Sequence, residues 1–256
     1  MTIRLVIGEA TDVGKVRDHN EDGYLVDDGL GLVAVADGMG GHRGGEVASA
    51  TAIEALHASF TQHGGLRDAV VAANDAVLDR ADGDEALRGM GTTLTAGVLG
   101  DDGTLLIGHV GDSRAYLLRD GELTRITTDH SLVEELVAAG ELTEEEAERD
   151  PRRSMITRAL GLDSDLVVDL HPVILVPGDR VMFCSDGLTN MVSGREIADL
   201  LTKEGGAATA AQRLVDAAND AGGVDNITVL VLDATGDLPA DVVEPRKRRG
   251  IFRRRV

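Results

Sequence analysis

Tryptophan is absent, and two tyrosines and three phenylalanines make up the whole aromatic content of 256 residues. Any sizeable core must therefore be assembled from Val, Leu, Ile and Ala, which the 43% hydrophobic content supplies. No apolar run approaches the roughly 18 residues of a membrane span, and the N-terminus carries no signal-peptide pattern. The single cysteine, Cys184, has no partner for an internal disulfide, which fits a reducing, cytoplasmic setting. Zinc spacings such as HExxH or paired CxxC are missing, and so is a P-loop Gly-Lys-Ser/Thr. Arg43 stands where a dinucleotide fingerprint would need its third glycine after Gly38 and Gly40. Positive charge is also scarce in the body. Seven of the 25 basic residues lie between Arg246 and Arg255, leaving 18 against 45 acids, or −27, for residues 1–245. A body so acidic repels nucleic-acid phosphates and suits cations, so no nucleic-acid partner is expected.

What is present centres on Val33-Ala-Val-Ala-Asp-Gly-Met-Gly-Gly41. A short apolar run ended by a turn signal reads as a buried strand. Asp37 then stands where the strand leaves the core, beside glycines that allow close backbone approach. Asp-Gly is also a common turn pair, and the chain has seven, at Asp22, Asp28, Asp37, Asp82, Asp102, Asp120 and Asp186. Asp102 and Asp120 lie between strand-like runs and read as hairpin turns, as does Asp28; Asp82 follows a helical segment. Asp22, Asp37 and Asp186 survive this sorting.

In chain order, residues 3–11 read as a strand, followed by a hairpin of Tyr24–Val26 with Leu32–Ala36. Helices are expected over Gly45–Phe60, with Val47, Ala50, Ile53, Leu56 and Phe60 on one face, and over Leu66–Arg80. Thr92–Leu99, Thr104–Val110, Arg114–Leu118 and Glu122–Ile126 read as antiparallel strands. Ser131 opens a helix with Glu134 at the capping-box position. Residues 141–165 read as a mobile surface excursion. Strands over Leu166–Val176 and Arg180–Ser185, helices over 194–203 and 207–221, and a strand over Ile227–Asp233 complete the body. Strands, helices, strands, helices, strand is the order of an α+β layered sandwich, not of βαβ units.

Asp22, Asp37, Asp186 and Asp225 thus stand at strand ends or in tight loops. Carboxylates gathered without cations repel one another, and two hard divalent ions about 3.5–4 Å apart would offset that and share a bridging water. Arg17, four residues before Glu21-Asp22, carries a fork that matches two phosphate oxygens. Singly, each acid reads equally well as a turn cap, and Arg17 as an ion-pair partner of Glu21.

Arg17-x-x-Asn-Glu-Asp22, Asp37-Gly-Met-Gly-Gly41, Gly91-Thr-Thr93, Gly111-Asp-Ser-Arg114, Ser185-Asp-Gly187 and Asp225-Asn226 come in one order. In that order they resemble the bacterial type 2C, or PPM-type, metal-dependent protein serine/threonine phosphatases, over roughly residues 3–233. The resemblance implies a four-layer sandwich, with two central antiparallel sheets flanked by helices on both sides. It also implies two manganese or magnesium ions held by Asp22, Asp37, the Gly38 carbonyl, Asp186 and Asp225. Arg17 would hold the substrate phosphate and Glu21 would orient the attacking water. Asp112, with Ser154, would serve a third, weaker ion. Many eukaryotic members have a histidine where this chain has Met39, which cannot donate a proton; either a coordinated water or His42 takes that part. Residues 141–165 correspond to a flap, whose Arg152, Arg153 and Arg158 would contact substrate.

Residues 1–236 are expected to be the catalytic domain, with the flap inside it, and 237–256 a basic tail. The tail reads as a solvated charge block, a binder of anionic membrane, or the stub of a juxtamembrane linker. Phosphoproteins, among them a serine/threonine kinase, are the partners implied, with the chain acting as a monomer. A pseudophosphatase that binds phosphoproteins without turnover and a metal-dependent nuclease or phosphodiesterase are the rival readings; no metal ligand is lost to favour the first, and the acidic body opposes the second.

Overall fold

Every residue from Leu32 to Ala36 is buried, on both faces of its strand. A strand apolar on both sides needs a layer above and a layer below. The computed structural model, which describes residues 2–40, 44–147 and 149–236, supplies both. The strands are β1 (Arg4–Asp12), β2 (Asp22–Asp27), β3 (Leu32–Met39), β4 (Gly91–Thr92), β5 (Leu94–Leu99), β6 (Thr104–Val110), β7 (Arg114–Arg119), β8 (Glu122–Arg125), β9 (Asp169–Ile174), β10 (Arg180–Cys184) and β11 (Ile227–Thr235). The helices are α1 (Gly44–His63), α2 (Leu66–Asp82), α3 (Leu132–Ala138), α4 (Glu144–Ala147), α5 (Asp186–Thr189), α6 (Gly194–Thr202) and α7 (Ala207–Asp220).

One sheet runs β1-β11-β10-β7-β8 and the other β2-β3-β5-β6-β9, with β4 paired to β3. All their pairings are antiparallel. Val33, Val35, Leu105 and Ile107 of the second sheet meet Val181, Phe183, Leu230 and Leu232 of the first in a central apolar layer. Leu32, Ala34 and Ala36 face the other way, onto α1 and α2. Met182, Cys184, Val229 and Val231 face α5, α6 and α7. The result is the four-layer α+β sandwich, helix on sheet on sheet on helix.

Several expected details differ. The buried stripe of α1 is Gly45, Ala48, Ser49, Ala52 and Leu56, and Ala50 is exposed. Small residues let α1 lie close to β2 and β3, and that spacing, not residue bulk, chose the face. Ser131 accepts a hydrogen bond from the Glu134 N–H at 3.4 Å, but the Glu134 carboxylate pairs with Arg125 at 2.9 Å instead of returning to the cap. The expected strand Leu166–Val176 shrinks to Asp169–Ile174, because Asn74 on α2 pulls the preceding segment inward. Its Oδ1 accepts from the Gly161 N–H at 2.9 Å and its Nδ2 donates to the Asp163 carbonyl at 2.9 Å.

The excursion 141–165 is only half free. Its second half is docked by bridges Ser131↔Ile156 and Thr92↔Leu160, and Ala159 and Leu160 are buried. No helix among the described residues is long and apolar enough to cross a membrane. His42 and the basic tail 237–256 lie outside the described residues.

Candidate active site

The hairpin register sets the first pair of acids. In β2 and β3, Asp22 stands directly opposite Asp37. Like charges opposed across a strand pair are destabilising, so both carboxylates share one end of the second sheet against their own repulsion. The Gly91-Thr92-Thr93 motif fixes the Asp37 backbone: its N–H donates to Thr93 Oγ1 and its carbonyl accepts from Thr92 Oγ1, both at 2.9 Å. Thr93 Oγ1 also bonds Ser113 Oγ at 2.7 Å, tying this end to the Gly111–Arg114 loop. Gly38 cannot be replaced without movement, since a Cβ there would lie 2.1 Å from the Gly45 carbonyl oxygen and 2.5 Å from that of Glu21.

The other two acids arrive from the first sheet. Asp186 opens α5 directly after β10 and Ser185, and Asn190 Nδ2 donates to its Oδ2 at 2.8 Å. Ser185 Oγ donates to Asp22 Oδ2 at 2.8 Å and accepts from the Thr228 N–H at 3.0 Å, so one hydroxyl ties Asp22 of the second sheet to β11 of the first. Asp225 precedes β11 and receives Arg17 Nη2 at 2.9 Å; Arg17 therefore pairs with Asp225 and not with Glu21. Asn226 gathers the Arg17 loop, with Oδ1 accepting from the Glu21 N–H at 2.8 Å and Nδ2 donating to the Val13 and His19 carbonyls at 2.9 Å each. Thr93, Ser185 and Asn226 lie in motifs visible in the sequence, but only the packing reveals them as the braces. Asn190 carried no signal beyond standing one helical turn after Asp186.

Electrostatics mark this cluster off from the rest of the surface. Burial, then Asp186 and Asp225, push the Asp22 carboxyl up to about 7, although the Ser185 and Thr228 bonds act against the rise. Asp37 is raised well above the carboxylate range by burial and by Asp22, Asp186, Asp112 and Asp225. Asp186 is raised by burial and Asp225, and Glu21 by burial. Asp22 Oδ1 is buried without a hydrogen-bond partner, an expensive condition for a carboxylate oxygen unless something else satisfies it. Oxygen donors alone, one of them orphaned, make a set that fits hard divalent ions. Among the described residues, no three acidic, histidine or cysteine side chains yet close on one point as a finished ligand shell would. The acids are near enough to disturb one another and stop short of a cage.

Sequence comparison carries the assignment further. The family described as Protein phosphatase 2C matches residues 15–220. The chain belongs to that family. Members of the 2C family are metal-dependent protein serine/threonine phosphatases, and this chain falls in its bacterial branch. It is 39% identical over 236 residues to the serine/threonine phosphatase stp of Listeria welshimeri, covering 87% of this chain and 93% of that one. It is 41% identical over 233 residues to protein phosphatase PhpP of Streptococcus pneumoniae, covering 87% and 94%. Its fold matches the Mycobacterium tuberculosis serine/threonine phosphatase PstP/Ppp with a TM-score of 0.84 and 42% identity, over 92% of this chain and 100% of that one. A structure of the PstP catalytic domain in complex with two manganese ions matches with a TM-score of 0.82 and 41% identity, over the same shares.

Beyond the central acids, the 2C motif Gly111-Asp-Ser-Arg114 divides its labour. Asp112 is only 6% exposed and is pushed up to about 8 by burial, Asp186 and Asp129. Arg114 turns away and clamps Asp129, with Nη2 at 2.6 Å from Oδ2. His130 braces the loop from behind, Nδ1 accepting from the Gly111 N–H at 2.9 Å. On the flap, Arg158 is bound to Asp169 at 3.1 Å and to His130 Nε2 at 2.8 Å, and Arg152 to Asp150 at 2.8 Å. Two of the three expected substrate contacts are thus already engaged, and Arg153 is exposed. Ser154 is exposed, and among the described residues no hydrogen bond joins it to the acids. Cys184 is core filler, with burial pushing its thiol up to about 12. His109 is likewise internal, held between Thr95 Oγ1 and the Thr128 carbonyl.

Proposed function

We propose that this 2C-family chain removes phosphate from phosphoserine and phosphothreonine in proteins at a two-ion centre, opposing a serine/threonine kinase. One observation carries the reading. Asp22 and Asp37, paired across one sheet, lie near enough to Asp186 and Asp225 of the other for their charges to raise one another's carboxyls, and Asp22 keeps a buried oxygen with no hydrogen-bond partner. Asp22, Asp37, the Gly38 carbonyl, Asp186 and Asp225 would hold two manganese or magnesium ions. Asp112, buried and perturbed by Asp186, would serve a third, weaker one; a part for Ser154 there rests on resemblance alone. Bound ions would supply Lewis acidity and a water of lowered pKa.

The chain's own residues do the rest. Arg17, half-exposed and anchored through one nitrogen to Asp225, presents its remaining N–H donors to phosphate oxygens and offsets their charge. Asp225 holds that guanidinium in place. Glu21, its carboxyl raised by burial, orients the attacking water. The leaving alkoxide needs a proton that Met39 cannot give; either a coordinated water or His42 would supply it.

Release of phosphate from p-nitrophenyl phosphate and from a phosphothreonine peptide tests the reading. Both activities should require manganese and vanish with chelator or in Asp186→Asn. Undiminished turnover by that variant overturns the assignment.

A further inference from the structure

A groove of about 900 Å³ runs away from the acid cluster, between the flap and α5–α6. Asp112 and Asp186 close its inner end. Val133 and Val137 of α3 line one wall, and Met191 and Val192 the other. Four arginines also face it, and they are not equivalent. Arg114 is spent on Asp129 and Arg125 on Glu134. Arg149 and Arg153 sit exposed on the flap rim and have no carboxylate partner among the described residues. Arg152 and Arg158, by contrast, are neutralised by Asp150 and Asp169 and do not line the groove. In a body of strongly negative charge, two exposed guanidiniums with no carboxylate partner among the described residues stand out on the rim of a mixed polar and apolar cleft.

We propose that this groove receives the polypeptide on one side of the phosphoresidue, and that Arg149 and Arg153 select substrates with an acidic group there. The inference rests on the phosphatase reading and adds a substrate class to it: phosphopeptides carrying a second negative group, a carboxylate or a further phosphate. Continuity gives the direction. Arg17 and Asp225 mark the phosphate end of the cluster, Asp186 lies near enough to Asp225 to feel its charge, and Asp186 and Asp112 line the groove. An extended peptide, advancing about 3.3 Å per residue, leaves the centre along this path. Its backbone passes the valines and Met191, and a carboxylate projecting toward the flap meets two forks able to bind it in parallel. The flap arginines also offset the repulsion that an acidic peptide meets from Glu144, which lines the same groove.

A set of phosphothreonine peptides with one glutamate walked through each position on either side of the phosphoresidue, in an otherwise neutral alanine background, provides the test. With manganese-loaded enzyme at low salt, glutamate at one or two neighbouring positions should raise kcat/KM about tenfold over alanine, mainly through KM. The preference should shrink as NaCl is raised past 0.15 M, where the Debye length is about 8 Å. In Arg149→Ser/Arg153→Ser the ratio of glutamate to alanine peptide should fall to about one, and in Arg149→Lys/Arg153→Lys it should survive in part. Each ratio is taken within one protein, so loss of folded enzyme does not mimic loss of selection. A second phosphothreonine at the favoured position should act as glutamate does. Wild-type enzyme indifferent to glutamate at every position overturns the proposal, and so does an unchanged ratio in the serine double variant. Fluorescence anisotropy of the same peptides reads the preference without turnover. Absence of hydrolysis therefore counts against the phosphatase reading, and absence of preference against the groove.

Discussion

Replacing Asp22 by asparagine should make the metal-free protein more stable while removing its response to manganese. Asp22 faces Asp37 across the hairpin, and its carboxyl is pushed from 3.8 up to about 7, by burial first and then by Asp186 and Asp225. At 1.36 kcal/mol per pH unit, that interval is worth about 4 kcal/mol against the folded state once the group is ionised. The sign follows from proton counting. Between about pH 4 and 7 the folded chain holds a proton that the unfolded chain has released, so stability falls as pH rises through that window. Above it the penalty is complete.

Asparagine keeps an oxygen for Ser185 Oγ and carries no charge, so most of the penalty should disappear, about 3 kcal/mol at pH 8 and about 1 at pH 5. For a chain of this size each kcal/mol is worth roughly 2–4 °C in Tm. Thermal unfolding in EDTA at pH 8 should therefore show the variant melting roughly 6–12 °C above the parent, with the gap narrowing at pH 5. Manganese should raise the parent's Tm and leave the variant's nearly still. A variant no more stable than its parent at pH 8, or equally favoured at both pH values, would refute the electrostatic account of the cluster.

Two further substitutions test the frame around it. Arg17→Lys keeps the charge and loses the fork, so kcat/KM for a phosphopeptide should fall roughly 10–100-fold, the effect of about 1.5–3 kcal/mol of charge-assisted hydrogen bonding; steady-state kinetics showing less than a twofold loss would contradict a bidentate role. In Gly187→Ala the new Cβ would lie 1.9 Å from the Asn226 carbonyl oxygen. Backbone must move there, so the urea midpoint should drop by the equivalent of about 3 kcal/mol or more, and an unchanged midpoint would be inconsistent with the packing.

The sequence disclosed the elements that depend on local pattern and concealed those that depend on a distant partner. Strands β5 to β8 were legible because tight Asp-Gly turns and alternating apolar residues are written within a few positions. The four acids were legible because each stands at or beside one end of a strand. Their pairing was not: that Asp22 stands opposite Asp37 is a matter of register, and that Ser185 bridges to Asp22 spans 163 positions. The flap was misjudged for the same reason. Its polar composition reads as free surface, while Asn74, far upstream, and the Ser131 and Thr92 bridges fasten its second half. The three flap arginines look alike in sequence, and only the positions of Asp150 and Asp169 distinguish those already satisfied.

The acids are divided evenly, two riding on each sheet, and the sheets touch through an interior in which Phe183 presses against Gly97. On the proposed two-ion reading, ion affinity would gauge how the two halves of the sandwich are aligned. A slip of one sheet along the other would open or close the gap between the pairs without altering any of the four acids. Residues deep in the middle layer, remote from any substrate, would then share in setting how tightly such a centre grips its ions.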